Sequence, residues 1–301
     1  MHDLAGQQTI VVGVDGSPSS DKAVGWAARE ASMRNISLDI IHVIATPPWG
    51  LVGLSGGPLP PLAGNGDWRE KDGADIISAA IRIAEESAPG LARAGIRAEM
   101  YFGATIPTLT DLSKDAKMIV VGSRGQGTVR RLLLGSVSTG LVHHAYCPVA
   151  VIHDVSPVNA LSPAQLPVVV GIDGSPASEL ATAIAFDEAS WRRVHLVALH
   201  SWCHGEVADV PSLEWSALQQ VADEAFSERL AGWRERYPDV AVQRRTVYAN
   251  PARQLLEEAE SAQLVVVGSH GRGGFSGMLL GSVSTAVVQA AGAPVIVARQ
   301  R

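Results

Sequence analysis

The chain is 301 residues long, 47% apolar and 18% charged, with a formal net charge of −6. That apolar content argues against a disordered chain, the acidic balance offers no basic excess for nucleic acid, and the length suits about two domains. The two cysteines, Cys147 and Cys203, form no C-x-x-C pair, so neither a disulfide framework nor a zinc ribbon is expected.

Short apolar runs alternate with longer amphipathic ones along the chain. In the first half the pattern predicts strands over 9–14, 37–44, 96–102, 118–122 and 149–153, with helices over 20–33, 68–94, 106–115 and 136–146 between them. The segment 46–67, rich in Gly and Pro, has no apolar period and reads as a surface loop. In the second half the strands fall at 168–172, 195–201, 240–248, 264–268 and 294–298, and the helices at 177–192, 212–236, 251–261 and 282–291. Several strands are apolar on both faces, which suits a parallel sheet covered by helices on each side. The expected fold class is α/β, with doubly wound, Rossmann-like domains in tandem, each a five-stranded parallel sheet. No apolar run reaches the roughly 18–20 residues that span a bilayer. Residues 1–8 carry no signal-peptide pattern, so a cytoplasmic protein without membrane contact is expected.

The two halves are copies of one unit. VVGVDGSP at 11–18 returns as VVGIDGSP at 169–176, IVVG at 119–122 as VVVG at 265–268, and LLGSVST at 133–139 without change at 279–285. The stretch 153–167 holds three prolines and no sustained period. It is read as the linker, with domains over 1–155 and 167–301 and the connection over 156–166.

In an open parallel sheet a ligand sits beyond the carboxyl ends of the strands, where their order reverses. Gly13 and Asp15, and in the second copy Gly171 and Asp173, follow the first strand of each half. The fourth strands run into Gly122-Ser123-Arg124-Gly125-Gln126-Gly127-Thr128 and Gly268-Ser269-His270-Gly271-Arg272-Gly273-Gly274. With nine residues between, Gly125 and Gly271 are followed by Gly135-Ser136 and Gly281-Ser282, which open helices. Glycines let successive main-chain N–H groups converge on an anion, and a helix N-terminus adds its dipole. Ser136 and Ser282 are good N-cap types, and the hydroxyls of Ser136, Ser138, Ser282 and Ser284 are candidate donors. The residues alone therefore describe a polyphosphate cradle in each half.

Several of these residues have a plainer reading beside the functional one. D-G-S-P is a strong turn sequence, so Asp15 and Asp173 are turn formers or nucleotide contacts. His42 and His200 read as hydrogen-bonded strand histidines, with ligand contact as the alternative. Arg124 and His270 face phosphate or solvent. His143 and His144 lack a third ligand for a metal, and Cys147 reads as a packed thiol.

The spacing Gly122-x-x-Gly125-(nine)-Gly135-Ser136, its second copy from Gly268, and the aspartate after each first strand resemble the universal stress protein family, in its ATP-binding branch with two tandem domains. The resemblance implies an adenine nucleotide alpha hydrolase-like fold and one ATP in each half. The phosphates and ribose would lie along 122–128 with Ser136 and Val137, and along 268–274 with Ser282 and Val283. Val43, and more weakly His204, would meet the adenine. Magnesium would bridge the phosphates, with no dedicated protein metal site. It further implies a homodimer and a regulatory or sensor role in stress or dormancy adaptation and growth control. A slow ATP hydrolase or phosphotransferase, and a nucleotide-independent interaction module, stand as alternatives. No catalytic residue is assigned, and no protein partner can be named.

Overall fold

The computed structural model describes residues 9–45, 65–91, 95–125, 134–153, 165–201, 212–272 and 280–299. The chain divides into two compact units, Met1–Asp154 and Val155–Gln300. Gln126, Gly127, Thr128, His204, Gly273 and Gly274, together with residues 46–64 of the expected loop 46–67, lie outside the described residues, and residues 65–67 of that loop belong to a helix.

The first unit runs β1 Thr9–Val14, α1 Pro18–Arg34, β2 Ser37–Ala45, α2 Asn65–Ser87, β3 Ile96–Gly103, α3 Thr105–Leu112, β4 Met118–Gly122, α4 Ser136–His144 and β5 Val149–Ile152. The second repeats it as β6 Val168–Gly171, α5 Pro176–Arg192, β7 Leu196–Ser201, α6 Ser212–Arg236, β8 Val242–Val247, α7 Pro251–Ala259, β9 Leu264–Gly268, α8 Ser282–Ala290 and β10 Val295–Ala298. Within the first unit the strands lie in the order β3-β2-β1-β4-β5 and within the second β8-β7-β6-β9-β10. The pairs within each row are parallel. The order therefore reverses beside β1 and β6, and the expected doubly wound fold is present twice.

Burial follows the residue pattern. Strands β4, β5, β9 and β10 are Val- and Ile-rich, and nearly all their residues are buried. By contrast β3 and β8, at the other end of each row, show Arg97 and Glu99, and Gln243, Arg244 and Arg245, to solvent. Charged side chains on an outer strand discourage pairing with other chains. Cys147 is 1% exposed, and burial pushes its thiol up to about 12, as a packed thiol should behave.

The helices start and stop for local reasons. Ser17 and Ser175 cap α1 and α5 by accepting the Ser20 and Ser178 N–H, with a proline following each cap. Both helices therefore begin earlier than the apolar period alone predicts. Helix α2 ends at Ser87, short of the predicted 94, because Pro89 holds its predecessor out of helical geometry and brings no N–H. One ion pair is built into both copies at the helix end, Glu30 with Arg34 at 2.7 Å and Glu188 with Arg192 at 3.1 Å.

The residues that stop α1 and α5 adopt left-handed backbone, Asn35 at φ 53 and Arg193 at φ 56. A Cβ crowds the next carbonyl in that region, a cost that the short polar side chain of asparagine offsets by local hydrogen bonding and that of arginine does not. Arg193→Gly is expected to raise the unfolding free energy by about 0.5–1 kcal/mol. Denaturant unfolding monitored by circular dichroism measures the gain, and Asn35→Gly should yield less.

Candidate functional site

Each site is assembled by a main-chain contact that leaves no room for a side chain. A Cβ placed on Gly122 would stand 2.7 Å from the carbonyl carbon of Ser19 and 2.8 Å from its oxygen, in the first turn of α1. On Gly268 it would stand 2.9 Å from the Ala177 carbonyl carbon. The end of β4 or β9 is thereby pressed against the start of the helix that follows β1 or β6. The next glycine is crowded by a side chain instead, because a Cβ on Gly125 would meet Asp15 Oδ2 at 2.5 Å, and on Gly271 it would meet Asp173 Oδ2 at 2.6 Å.

Asp173 latches two loops together, and Asp15 braces its own turn. Asp15 Oδ1 accepts the Ser17 N–H at 3.0 Å and the Ser17 hydroxyl at 2.6 Å. Asp173 Oδ1 accepts the Ser175 N–H at 2.9 Å, and its Oδ2 accepts the Arg272 N–H at 3.1 Å. The Ser175 hydroxyl in turn donates to the His270 carbonyl at 3.1 Å. Burial raises the Asp173 pKa, but the hydrogen bonds from Ser175, Arg272 and Ser178 outweigh it and hold the carboxyl below the ordinary range. The turn-forming reading of both aspartates is therefore seen directly, while Asp15 also borders the cavity described below.

Helices α4 and α8 complete the cradle, with one difference from expectation. Their N-caps are Gly135 and Gly281, not Ser136 and Ser282, and neither helix receives a side-chain cap. The serine lies one residue too far along, at the first helical position. Gly135 and Gly281 instead donate their N–H to the Ser123 and Ser269 carbonyls at 2.8 Å, which closes each Gly-rich loop onto its helix. The Ser138 hydroxyl donates to the carbonyls of Ser123 and Gly135, and that of Ser284 to the Gly268 carbonyl. These two hydroxyls hold the loop rather than reach outward. Ser136 and Ser282 are exposed, and Val137 and Val283 half-buried, in the first turns.

In the first unit these elements enclose a cavity of about 420 Å³. Gly13, Val14 and Asp15 border it from β1 and the turn after it, Ile41 and Val43 from β2, and Thr105 and Leu109 from α3. Val121, Gly122, Arg124 and Gly125 close the loop side, with Gly135, Ser136, Val137 and Ser138 at the helix end. Ser123 is buried beneath, and its hydroxyl has no hydrogen-bond partner among the described residues. Sequence reasoning had not named Val14, Ser20, Ile41, Thr105, Leu109 or Val121 as lining residues. Two signals for them exist. Strand alternation puts Ile41 on the face of Val43, and helix spacing stacks Leu109 over Thr105. In the second unit Leu255 takes the place of Leu109, since a Cβ on Gly171 would meet it at 3.0 Å, as one on Gly13 would meet Leu109 at 3.1 Å. Gly174, at φ 76, has no space for a Cβ beside the Arg229 guanidinium.

His42 and His200 do structural work. The ring Nδ1 of each faces a carbonyl at the end of the first strand, Val14 at 2.8 Å and Ile172 at 2.6 Å. A carbonyl only accepts, so Nδ1 carries the proton in both.

Comparison with known proteins agrees with this geometry. The model of the universal stress protein family matches residues 7–153 and 166–299. The chain is 51% identical to a universal stress protein of Mycobacterium tuberculosis over 298 residues, covering 98% of each chain. It is 48% identical to one from Mycolicibacterium smegmatis over 303 residues, covering 100% of both. A universal stress protein from Archaeoglobus fulgidus shares the fold, with a TM-score of 0.67 at 21% identity over 98% of this chain and 99% of the other.

The latch has a pH signature. Because the folded pKa of Asp173 is depressed, its contribution is fully present above the unfolded value of about 3.9 and is lost as pH falls through the lower folded value. Asp173→Asn is expected to cost about 1–2 kcal/mol at neutral pH. It should also flatten the acid limb of the stability curve, as measured by urea unfolding between about pH 2 and pH 7.

Proposed function

We propose, because the chain belongs to the universal stress protein family, that each of its two units binds an adenine nucleotide, namely ATP, and that occupancy regulates the protein instead of feeding a chemical step. The observation that carries this reading is the repeated cradle, in which Gly122 and Gly268 lie against the main chain at the start of α1 and α5, and Gly125 and Gly271 against an aspartate carboxylate, so closely that a Cβ would collide. Such a loop ahead of an uncapped helix start offers neutral N–H donors to phosphate oxygens.

The residues fit the ligand. The cavity of about 420 Å³ lies within the usual range of roughly 300–1,000 Å³ for small-molecule sites. The phosphates are assigned to Gly122, Ser123, Arg124 and Gly125 and to the first turn of α4. The nucleoside is assigned to the side bordered by Asp15, Val43 and Thr105. In the second unit the corresponding assignments are Gly268, Ser269, His270, Gly271 and Arg272 with the first turn of α8, and Gly171 with Asp173. A magnesium ion carried by the phosphates needs at most one or two protein ligands.

Two features favour a sensor over a phosphotransferase. Asp15 and Asp173, the carboxylates bound into the cradle, are engaged by the turn and loop hydrogen bonds given above, and the depressed pKa of Asp173 makes it a poor proton acceptor. Bound nucleotide shifts a conformational or assembly equilibrium only by its differential affinity for the competing states. Family membership supports a place in stress or dormancy adaptation and growth control, exercised by a homodimer.

Calorimetric titration with Mg·ATP is expected to show two sites per chain. Gly125→Val and Gly271→Val should each remove one, since each places carbon against an aspartate carboxylate. Nucleotide at a hundred times Kd should stabilise the fold by about 2.7 kcal/mol. Absence of binding heat, or rapid ATP turnover that disappears with these glycine variants, would contradict the proposal.

A further inference from the structure

Building on the nucleotide reading above, we propose that Thr105 is a specificity residue of the first site: its hydroxyl recognises a ribose hydroxyl of the bound nucleotide. The first unit thereby selects ribonucleotides, and the second, with Pro251 at the same point, does not.

Thr105 and Pro251 occupy one position of the repeated scaffold. Each is the first residue of its helix, α3 or α7. Each also stands four residues ahead of the leucine that packs against the first strand, Leu109 on Gly13 and Leu255 on Gly171. The chemistry at that position differs. Threonine brings a hydroxyl that both donates and accepts, whereas proline brings a ring of carbon atoms and no N–H. The side-chain oxygen of the preceding Asn250 is no substitute, since it accepts the Arg253 N–H at 3.1 Å.

In the first unit Thr105 is half-buried and borders the cavity. Other hydroxyls of the wall are turned toward protein. Ser20 donates to the Ser17 carbonyl at 2.9 Å, and Ser138 to the carbonyls of Ser123 and Gly135 at 3.3 Å. The next hydroxyl along α3, that of Thr108, donates to the Ala104 carbonyl at 3.0 Å. The Thr105 hydroxyl makes no hydrogen bond among the described residues. Around the nucleoside side the wall is otherwise apolar, with Ile41, Val43, Leu109 and Val121, apart from Asp15, which already holds Ser17. Its position favours the sugar. Helix α3 packs against α4 through Ile106, which a Cβ on Gly140 would meet at 2.7 Å. Gly140 lies one helical turn, about 5 Å, beyond the phosphate-binding start of α4 at Ser136. Thr105, the neighbour of Ile106, is therefore set about one group inward from the phosphates, which in a nucleotide is the ribose. The base then extends toward Ile41 and Val43 of β2. A ribose hydroxyl also donates and accepts, so the pair satisfies itself without any charge. A nucleotide lacking that hydroxyl would cover Thr105 and leave it unpaired, which is the source of the discrimination.

The test is calorimetric titration of the full chain with Mg·ATP and with its 2′-deoxy and 3′-deoxy analogues. The wild type is compared with Thr105→Val, Thr105→Ser and Pro251→Thr. In the wild type one class of site is expected to bind at least one analogue roughly fivefold more weakly than ATP, and the other class to bind all three nucleotides alike. Thr105→Val keeps the shape and removes the hydroxyl. It should weaken ATP by the same factor at the discriminating class and leave the weaker analogue unchanged. Thr105→Ser should keep the discrimination, and Pro251→Thr should confer it on the second class, a gain that a damaged fold cannot produce. Equal affinity for all three nucleotides at both classes, or discrimination that survives Thr105→Val, would overturn the proposal while leaving nucleotide binding intact. No binding heat with Mg·ATP in the wild type would overturn the nucleotide reading and this inference with it.

Discussion

The end of β4 lies so close to the first turn of α1 that Gly122 has no space for a Cβ, and β9 repeats the contact with α5 through Gly268. Only main chain fits there. The contact sets where the Gly-rich loop begins, and the loop then passes over Asp15 or Asp173, again at a distance that only glycine allows. In the second unit Asp173 ties that loop to the turn ahead of the helix, and in both units the glycine N–H at the cap ties it to α4 or α8. In the first unit a hollow results at the point where the strand order reverses, the place where an open parallel sheet has room for a ligand.

On the proposed reading, this construction reconciles a chain of net charge −6 with an anionic ligand. Net charge governs long-range attraction and so weighs against a polyanion as large as nucleic acid. A cradle of neutral N–H groups acts over hydrogen-bond distances instead, and it is preorganised by contacts that exist before any ligand arrives.

Much of this was legible in the residues. The duplicated segments announced two units, and the period-two and helical patterns placed the strands and helices within a few residues. The glycine spacing marked the cradle because glycine there has no substitute. What escaped depended on contacts remote in sequence. Thr105 and Leu109 reach the cavity only because α3 packs beside the ends of β1 and β2, which no local pattern reveals. Ser136 carries a typical capping side chain, yet Gly135 caps α4, because its N–H is drawn to the Ser123 carbonyl. Ser138 offered a hydroxyl for phosphate, but the nearer loop carbonyls claim its proton. The early stop of α2 could have been read from Pro89, whose effect on its predecessor is local.

The most direct measurement of the central claim is amide hydrogen exchange on the full chain with and without Mg·ATP, resolved to short peptides. The account predicts slowed exchange in two separate stretches, at Gly122–Gly125 with the first turn of α4, and at Gly268–Arg272 with the first turn of α8. Slowed exchange confined to other parts of the chain, or none at saturating nucleotide, would contradict it.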